Sequence, residues 1–230
     1  MAYFDILILA GLAAFIIWRL HGVLGRREGH EQPMKPRSAD QFGRSDEGAS
    51  ANGDNVVPLP GAASRDANAP EDFSKIAPAG SDLAQGLTEV QLADRGFRAD
   101  GFLEGARGAY EMIVTAFAGA DRRALKPLLS DEVYGDFDSA LHNREAEGQR
   151  VETTFIGIED ARITGAGMRG KMAELTIRFV SELISLTKNS DGIVIEGDPT
   201  TVRKVIDIWT FSRDTSSGNP NWLLIATEEG

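Results

Sequence analysis

The chain has 230 residues, with 24 Lys and Arg against 35 Asp and Glu, a formal charge of −11 and no cysteine. That length allows one domain with an appendage or two small domains. The absence of Cys excludes disulfides, thiolate zinc sites, iron–sulfur clusters and cysteine nucleophiles, and His21, His30 and His142 alone leave little for a His-rich metal centre. The acidic balance argues against a nucleic-acid partner, because a duplex-binding surface needs clustered Lys and Arg to replace counterions. No cofactor and no metal is expected.

Residues 3–24 form an apolar run whose strictly uncharged part, residues 6–18, is too short to cross a bilayer alone. With its flanks the run has about 22 residues, or roughly 33 Å at 1.5 Å per residue. Arg19 and His21 lie within reach of headgroups, and Tyr3, Phe4 and Trp18 suit the aromatic belts. Ile6, Leu7, Ile8, Leu9, Leu12, Phe15, Ile16 and Ile17 together favour insertion by about 2.4–4.8 kcal/mol. A cleaved signal peptide would need Lys or Arg before the run and a small-x-small site after it. Met1-Ala2-Tyr3-Phe4-Asp5 and Arg19-Leu20-His21-Gly22 supply neither. A buried core helix would find nothing contiguous downstream to pack on. Residues 1–27 are therefore expected to be a single-span anchor with a basic flank. Arg19, Arg26 and Arg27 come after the span, which leaves the rest of the chain on the cytoplasmic side.

Residues 28–80 hold six of the nine prolines, mixed with Gly, Ala, Ser, Asn and Asp, and too few large apolar residues to offset the entropy of ordering them. The stretch reads as a disordered linker, and Val56-Val57-Pro58-Leu59-Pro60 as part of it rather than a docking peptide. About 53 flexible residues span roughly 40 Å, so the C-terminal part of the chain is held near the membrane without being fixed to it.

Residues 81–230 are expected to fold as one α+β domain, helices first and an antiparallel meander after. Ser81 caps a first helix, with Leu83, Leu87, Val90 and Phe97 on its apolar stripe. Asp100 caps a second, carrying Phe102, Ala106, Ala109, Tyr110, Ile113, Val114 and Phe117. Asp121 starts a short third with Leu125, Leu128 and Leu129. Ser130 caps a fourth, in which Val133, Tyr134, Phe137 and Leu141 face inward and Gly148 is the stop. From Val151 the period is two: Ala173, Leu175, Ile177 and Phe179 face one way, and Met172, Glu174, Thr176 and Arg178 the other. Asp191-Gly192, Gly197-Asp198-Pro199 and Ser217-Gly218-Asn219-Pro220 are turn signals. About 150 residues bury a real core.

Phe102-Leu103-Glu104-Gly105-Ala106, Ala109-Tyr110, Ile113-Val114, Arg178-Phe179-Val180-Ser181-Glu182, Asp207-Ile208-Trp209-Thr210-Phe211 and Pro220-Asn221-Trp222 succeed one another in a distinctive order. Together they resemble the C-terminal domain of the forty-four-kilodalton subunit of the mitochondrial inner-membrane translocase, and in particular its membrane-anchored alpha-proteobacterial relatives. The resemblance covers nearly all of residues 83–229. It implies a cone-shaped fold of the nuclear-transport-factor-two type, helices packed on a curved antiparallel sheet with an apolar pocket beneath them. It further implies scaffolding at a bacterial inner membrane without catalysis, with a chaperone, translocase or ribosome as partner. In the mitochondrial proteins the first helices are basic enough to lie on anionic lipid. Residues 81–98 carry Asp82, Glu89 and Asp94 against Arg95 and Arg98, so the anchor is expected to replace that lipid contact.

The residues expected to line the pocket are Tyr110, Phe117, Phe137, Phe155, Phe179, Trp209 and Phe211, with Arg178, Glu182, Asp207 and Arg213 as a polar rim; core packing and sheet ion pairs are the plain alternatives. A lipid acyl chain or other apolar ligand fits such a pocket as well as a protein does. His142, beside Asp138 and Glu145, reads as a solvated pair rather than a general base, and Asp131, Glu132, Asp136 and Asp138 as a solvent-facing run. Gly165-Ala166-Gly167-Met168-Arg169-Gly170 lies between strands and reads as a hairpin turn rather than a phosphate loop. No catalytic residue is identifiable. A membrane-tethered adaptor is the reading, and a small-molecule carrier or pocket enzyme of the same fold the alternative.

Overall fold

The computed structural model describes residues 71–230. The expected anchor, and the linker as far as residue 70, lie outside the described residues. Among the described residues no helix is long and apolar enough to cross a membrane. Ordered structure already precedes Ser81. Asp72 caps a short 3-10 turn, Phe73–Lys75, and the Phe73 ring is buried in the core. One aromatic in a polar stretch leaves little trace in average composition, so the local sequence reads as linker.

Four helices come next: α1 (Asp82–Ala93), α2 (Ala99–Ala118), α3 (Arg122–Leu125) and α4 (Asp131–Ala146). Ser81, Asp121 and Ser130 each accept a hydrogen bond from a first-turn backbone N–H, as their side chains predict. The expected cap of α2 is different. Arg98 occupies the cap position without a side-chain bond, Asp100 lies inside the first turn, and Glu71 accepts from the Ala99 N–H at 3.0 Å. A carboxylate from 28 residues upstream takes the role that sequence proximity assigned to Asp100. Phe97 falls in the α1–α2 loop rather than on α1, and is buried there.

The C-terminal half is a five-stranded antiparallel sheet: β1 (Arg150–Arg169), β2 (Met172–Lys188), β3 (Val194–Gly197), β4 (Arg203–Asp214) and β5 (Leu223–Glu229). Its order is β1-β2-β4-β5, with β3 also paired to β2. Three register shifts interrupt the β1–β2 ladder, and each bulge bends the sheet. The glycine-rich run 165–169 is strand, not turn. Gly165 lets β1 approach Thr176 closely, and the reversal is confined to Gly170 and Lys171, with Gly170 left-handed at φ 62°.

Helices and sheet enclose one core. Ala173, Leu175, Ile177 and Phe179, the predicted inward row of β2, are fully buried against Phe102, Ala106, Tyr110 and Ile113 of α2. At Gly86 the helix α1 sits directly on the β1 backbone, with the Ala166 carbonyl where a side chain would be. The last strand ties back to the helices: Leu224 N–H donates to the Leu128 carbonyl and Ser130 N–H to the Leu224 carbonyl, both at 2.9 Å. Arg144 of α4 donates to the Phe117 carbonyl at 2.7 Å and lies over the Phe117 ring, holding the end of α2. Arg144→Met, which keeps the stem but loses that bond, is expected to destabilise the domain by about 1 kcal/mol in a urea titration.

Candidate functional site

A groove of about 530 Å³ opens at one end of the domain. Its walls are the α1–α2 loop, one face of α2, the end of β4 and the β4–β5 loop. The α2 wall is built of small residues: Gly101, Gly105 and Ala109 recur every fourth position, so they stack on one helix face and leave it flat. A Cβ added at Gly105 would meet nothing within 4 Å, which makes that position open space. Beside it, Phe102 of the same helix and Trp222 meet edge to face at 4.7 Å, with Phe97 at 6.2 Å from each. Met112 and Leu128 extend the apolar lining.

One polar pair faces this surface. Arg213, from the end of β4, is ion-paired with Asp94 of the α1–α2 loop, and its guanidinium lies 5.1 Å from the centre of the Trp222 ring. The Arg213 Nε is buried without a hydrogen-bond partner. The pair joins the loop to the sheet across 119 residues of sequence. It ties the loop to the sheet and offers charge of both signs at one end of a trough whose lining also includes Arg98 and Asn221.

Of the residues expected to form a pocket, Phe211 and Arg213 line this groove and the others lie elsewhere. Tyr110, Phe179 and Trp209 fill the core, with Tyr110 at 4.5 Å from each of the other two rings, and Phe155 flanks them at 6.1 Å from Tyr110. Phe117 and Phe137 pair with each other at 4.7 Å between α2 and α4. Arg178 and Glu182 stand on the outer face of the sheet, opposite Ile208 and Lys204. Asp207 points inward: it accepts from the Tyr110 phenol at 2.5 Å, and Tyr110 also meets Ser181 Oγ at 2.8 Å. The expected rim is thus split between two faces of one sheet.

Burial pushes the Asp207 carboxyl above its ordinary 3.8; the Tyr110 bond opposes that and neighbouring Glu229 adds to it. Burial, with the Asp207 charge, likewise raises the Tyr110 phenol. Such shifts accompany catalytic sites, but these groups satisfy each other and neither lines the groove. His142 is exposed, on a surface cluster in which Arg122 of α3 bonds Asp138 and Glu145 of α4. The cluster clamps two helices. Among the described residues no three His, Asp or Glu side chains converge to hold a metal ion.

Sequence alone does not mark Phe97, Phe102, Asp94 and Trp222 as residues of this site. The repeat of small residues at 101, 105 and 109 is the one linear signal of the groove wall.

Residues 83–229, nearly all of this fold, match the family described as the Tim44-like domain. The chain belongs to that family. The human mitochondrial import inner membrane translocase subunit TIM44 is 24% identical over 148 residues, 63% of this chain and 33% of the relative. The probable mitochondrial import inner membrane translocase subunit tin-44 of Caenorhabditis elegans is 25% identical over 149 residues, 63% of this chain and 35% of the relative. The chain thus spans about a third of the length of these relatives. Among solved structures, the intermembrane space region of chloroplast protein ARC6 overlays 55% of this chain and 95% of that one, at 9% identity and a TM-score of 0.39; so low a score carries nothing about fold or function. These relatives are named as subunits of an inner-membrane translocase.

Proposed function

We propose that the protein is a membrane-tethered adaptor whose Tim44-like domain holds a protein partner in the groove between α2 and the β4–β5 loop. The observation that carries this reading is the composition of the groove. A flat wall of Gly101, Gly105 and Ala109 borders a floor formed by Phe102 of the same helix with Phe97 and Trp222, a surface shaped to receive side chains rather than to transform a substrate. Family membership supports an adaptor at an inner membrane. The anchor expected over residues 3–24, with the cytoplasmic orientation set by Arg19, Arg26 and Arg27, supplies the tether. A pocket enzyme has less support, because the raised Asp207 carboxyl is occupied by Tyr110. In this reading the domain contributes binding alone.

The test uses the full-length protein in native membranes with a photo-reactive residue at Met112, an exposed position of the groove wall, followed by mass spectrometry. A single protein partner is expected, captured from wild type and not from Gly105→Leu. That variant fills the open space in the groove, and loss of a mid-helix glycine stabilises α2 by up to about 1 kcal/mol, so its melting temperature should hold. Deleting residues 1–27 should release the protein from the membrane and abolish capture. Recovery of lipid alone at Met112, or capture unchanged in Gly105→Leu, would overturn the reading.

A further inference from the structure

The described surface carries a second concentration of uncovered apolar area, far from the groove. Ile193 (61% exposed), Val194 (42%), Ile195 (51%) and Val202 (49%) all belong to the single excursion between β2 and β4. That excursion lies at the Arg203 end of β4, and the groove lies at its Arg213 end, about 30 Å away at 3.3 Å per residue.

The excursion is held firmly in place. Asn189 Oδ1 accepts from the backbone N–H of Asp191 at 3.0 Å and of Ile193 at 2.9 Å, closing the turn into β3. At its far end Gly197 is left-handed at φ 79°, and a Cβ there would stand 2.2 Å from the Ser185 carbonyl oxygen, so only glycine lets β3 lie on β2. Asp198 Oδ1 then accepts from Thr200 N–H at 2.7 Å and fixes the return to β4. The aliphatic side chains are presented to solvent by a built turn at each end.

One edge of β3 pairs with β2, through Leu186–Gly197, Thr187–Glu196 and Lys188–Val194. Among the described residues nothing pairs with the other edge; β5 covers β4 only over residues 207–212. Exposed edges in soluble proteins are blunted by Lys, Pro, a bulge or short length. Here the short length and one register shift limit how much chain can add, but residues 193–196 contain no Lys or Pro. The surrounding charge is acidic. Asp191, Glu196 and Asp198 stand against Arg203, while Lys188 is taken up by Glu152 at 2.7 Å. That balance repels anionic headgroups and attracts a cationic chain.

We propose that β3 is a docking edge for an extended, apolar polypeptide segment flanked by Lys or Arg, which adds to the sheet as a strand beside residues 193–196. Main-chain hydrogen bonds to the open edge supply affinity, the exposed aliphatic residues bury the apolar side chains of the segment, and the acidic flank selects its ends. The site is physically separate from the groove and stands whether or not the groove takes a partner.

The probe is a fluorescent ten-residue peptide of alternating Val and Thr between Lys pairs, titrated against the full-length protein in nanodiscs. Wild type should bind saturably. Ile195→Lys, on an exposed position, should weaken binding about tenfold with its circular dichroism unchanged. A peptide with two central prolines, which removes main-chain donors, should lose binding to the same degree. Glu196→Lys should reverse the preference between Lys-flanked and Glu-flanked peptides, a change that simple destabilisation would not produce. Equal binding of the proline peptide would exclude strand addition. Unchanged binding to Ile195→Lys would place the site elsewhere, and binding to anionic vesicles or to a second copy of the chain instead of the peptide would replace the proposed occupant. Any of these overturns the proposal.

Discussion

Replacing Gly86 with alanine is expected to destabilise the domain by about 3 kcal/mol and to lower its melting temperature by roughly 6–12 °C. The cause is the contact between α1 and β1. A Cβ at Gly86 would lie 1.9 Å from the Ala166 carbonyl oxygen and 2.5 Å from its carbon, and neither is a side-chain end that can swing away. Helix and strand must part, exposing Leu87 and Val90, both fully buried. Helix propensity alone predicts the opposite sign, since alanine is favoured over glycine inside a helix by about 1 kcal/mol. Gly105→Ala on α2 isolates that propensity, because nothing stands within 4 Å of the new Cβ, and a gain of about 0.5–1 kcal/mol is expected there. Thermal melts of the two variants should move in opposite directions. A Gly86→Ala domain as stable as wild type would mean that α1 does not pack on β1 as described.

The second large effect is expected at Tyr110. Its phenol donates to Asp207 and meets Ser181 Oγ, all within the enclosed side of the sheet. Tyr110→Phe keeps the ring stack with Phe179 and Trp209 but leaves a desolvated carboxylate without its donor, at an expected cost of about 2 kcal/mol near neutral pH. The cost should depend on pH. Burial raises the Asp207 carboxyl, so the folded state keeps that proton where the unfolded chain, near 3.8, has released it. Stability carried by this group is therefore complete below the ordinary carboxylate value and is lost as pH rises through the folded one. Asp207→Asn retains an acceptor for the phenol and cannot ionise. It should gain on wild type as pH rises through that interval and lose the advantage below it. Urea midpoints at pH 4 and pH 7 measure both variants; an identical wild-type-to-Asn difference at the two pH values would show that Asp207 does not titrate differently in the fold. Tyr110 carries the same sign at alkaline pH, where its raised phenol makes stability fall as the unfolded chain ionises first.

The contrast between Asp207 and Arg178 shows what can be read from sequence. The inward row of β2 is legible because alternation has a single phase, and Ala173, Leu175, Ile177 and Phe179 share it. The same parity places Arg178 and Glu182 outward, so a rim containing them together with Asp207 is at odds with the strand period. The caps at Ser81, Asp121 and Ser130 are legible because a cap bonds two or three residues ahead. Glu71 capping Ala99 is not, since nothing local relates residues 28 apart. Aromatic residues give the least: Tyr110 and Trp209 lie wholly in the core while Phe102 is both core and groove lining, and only the packed fold shows which aromatic residues also border the groove. The groove itself combines segments around residues 97, 105, 128, 213 and 222, a juxtaposition that no linear pattern encodes.

The bond from Leu224 back to Leu128 also sets an order of events during synthesis. The β1–β2 hairpin joins neighbours in the chain and can zip as soon as it leaves the ribosome, since closing a short loop costs little entropy. The helical half has no such autonomy. Leu129 is bridged to Leu224, Asp94 waits for Arg213, and Tyr110 waits for Asp207. A nascent chain therefore leaves the Asp94, Tyr110 and Leu129 contacts unmade until β4 and β5 emerge, with the apolar faces of α1 and α2 uncovered until the β1–β2 hairpin packs on them. A chain that halts before Leu223 would lack the strand that ties residues 128–130 to the sheet and would leave the outer edge of β4 open, and so would be a substrate for quality control.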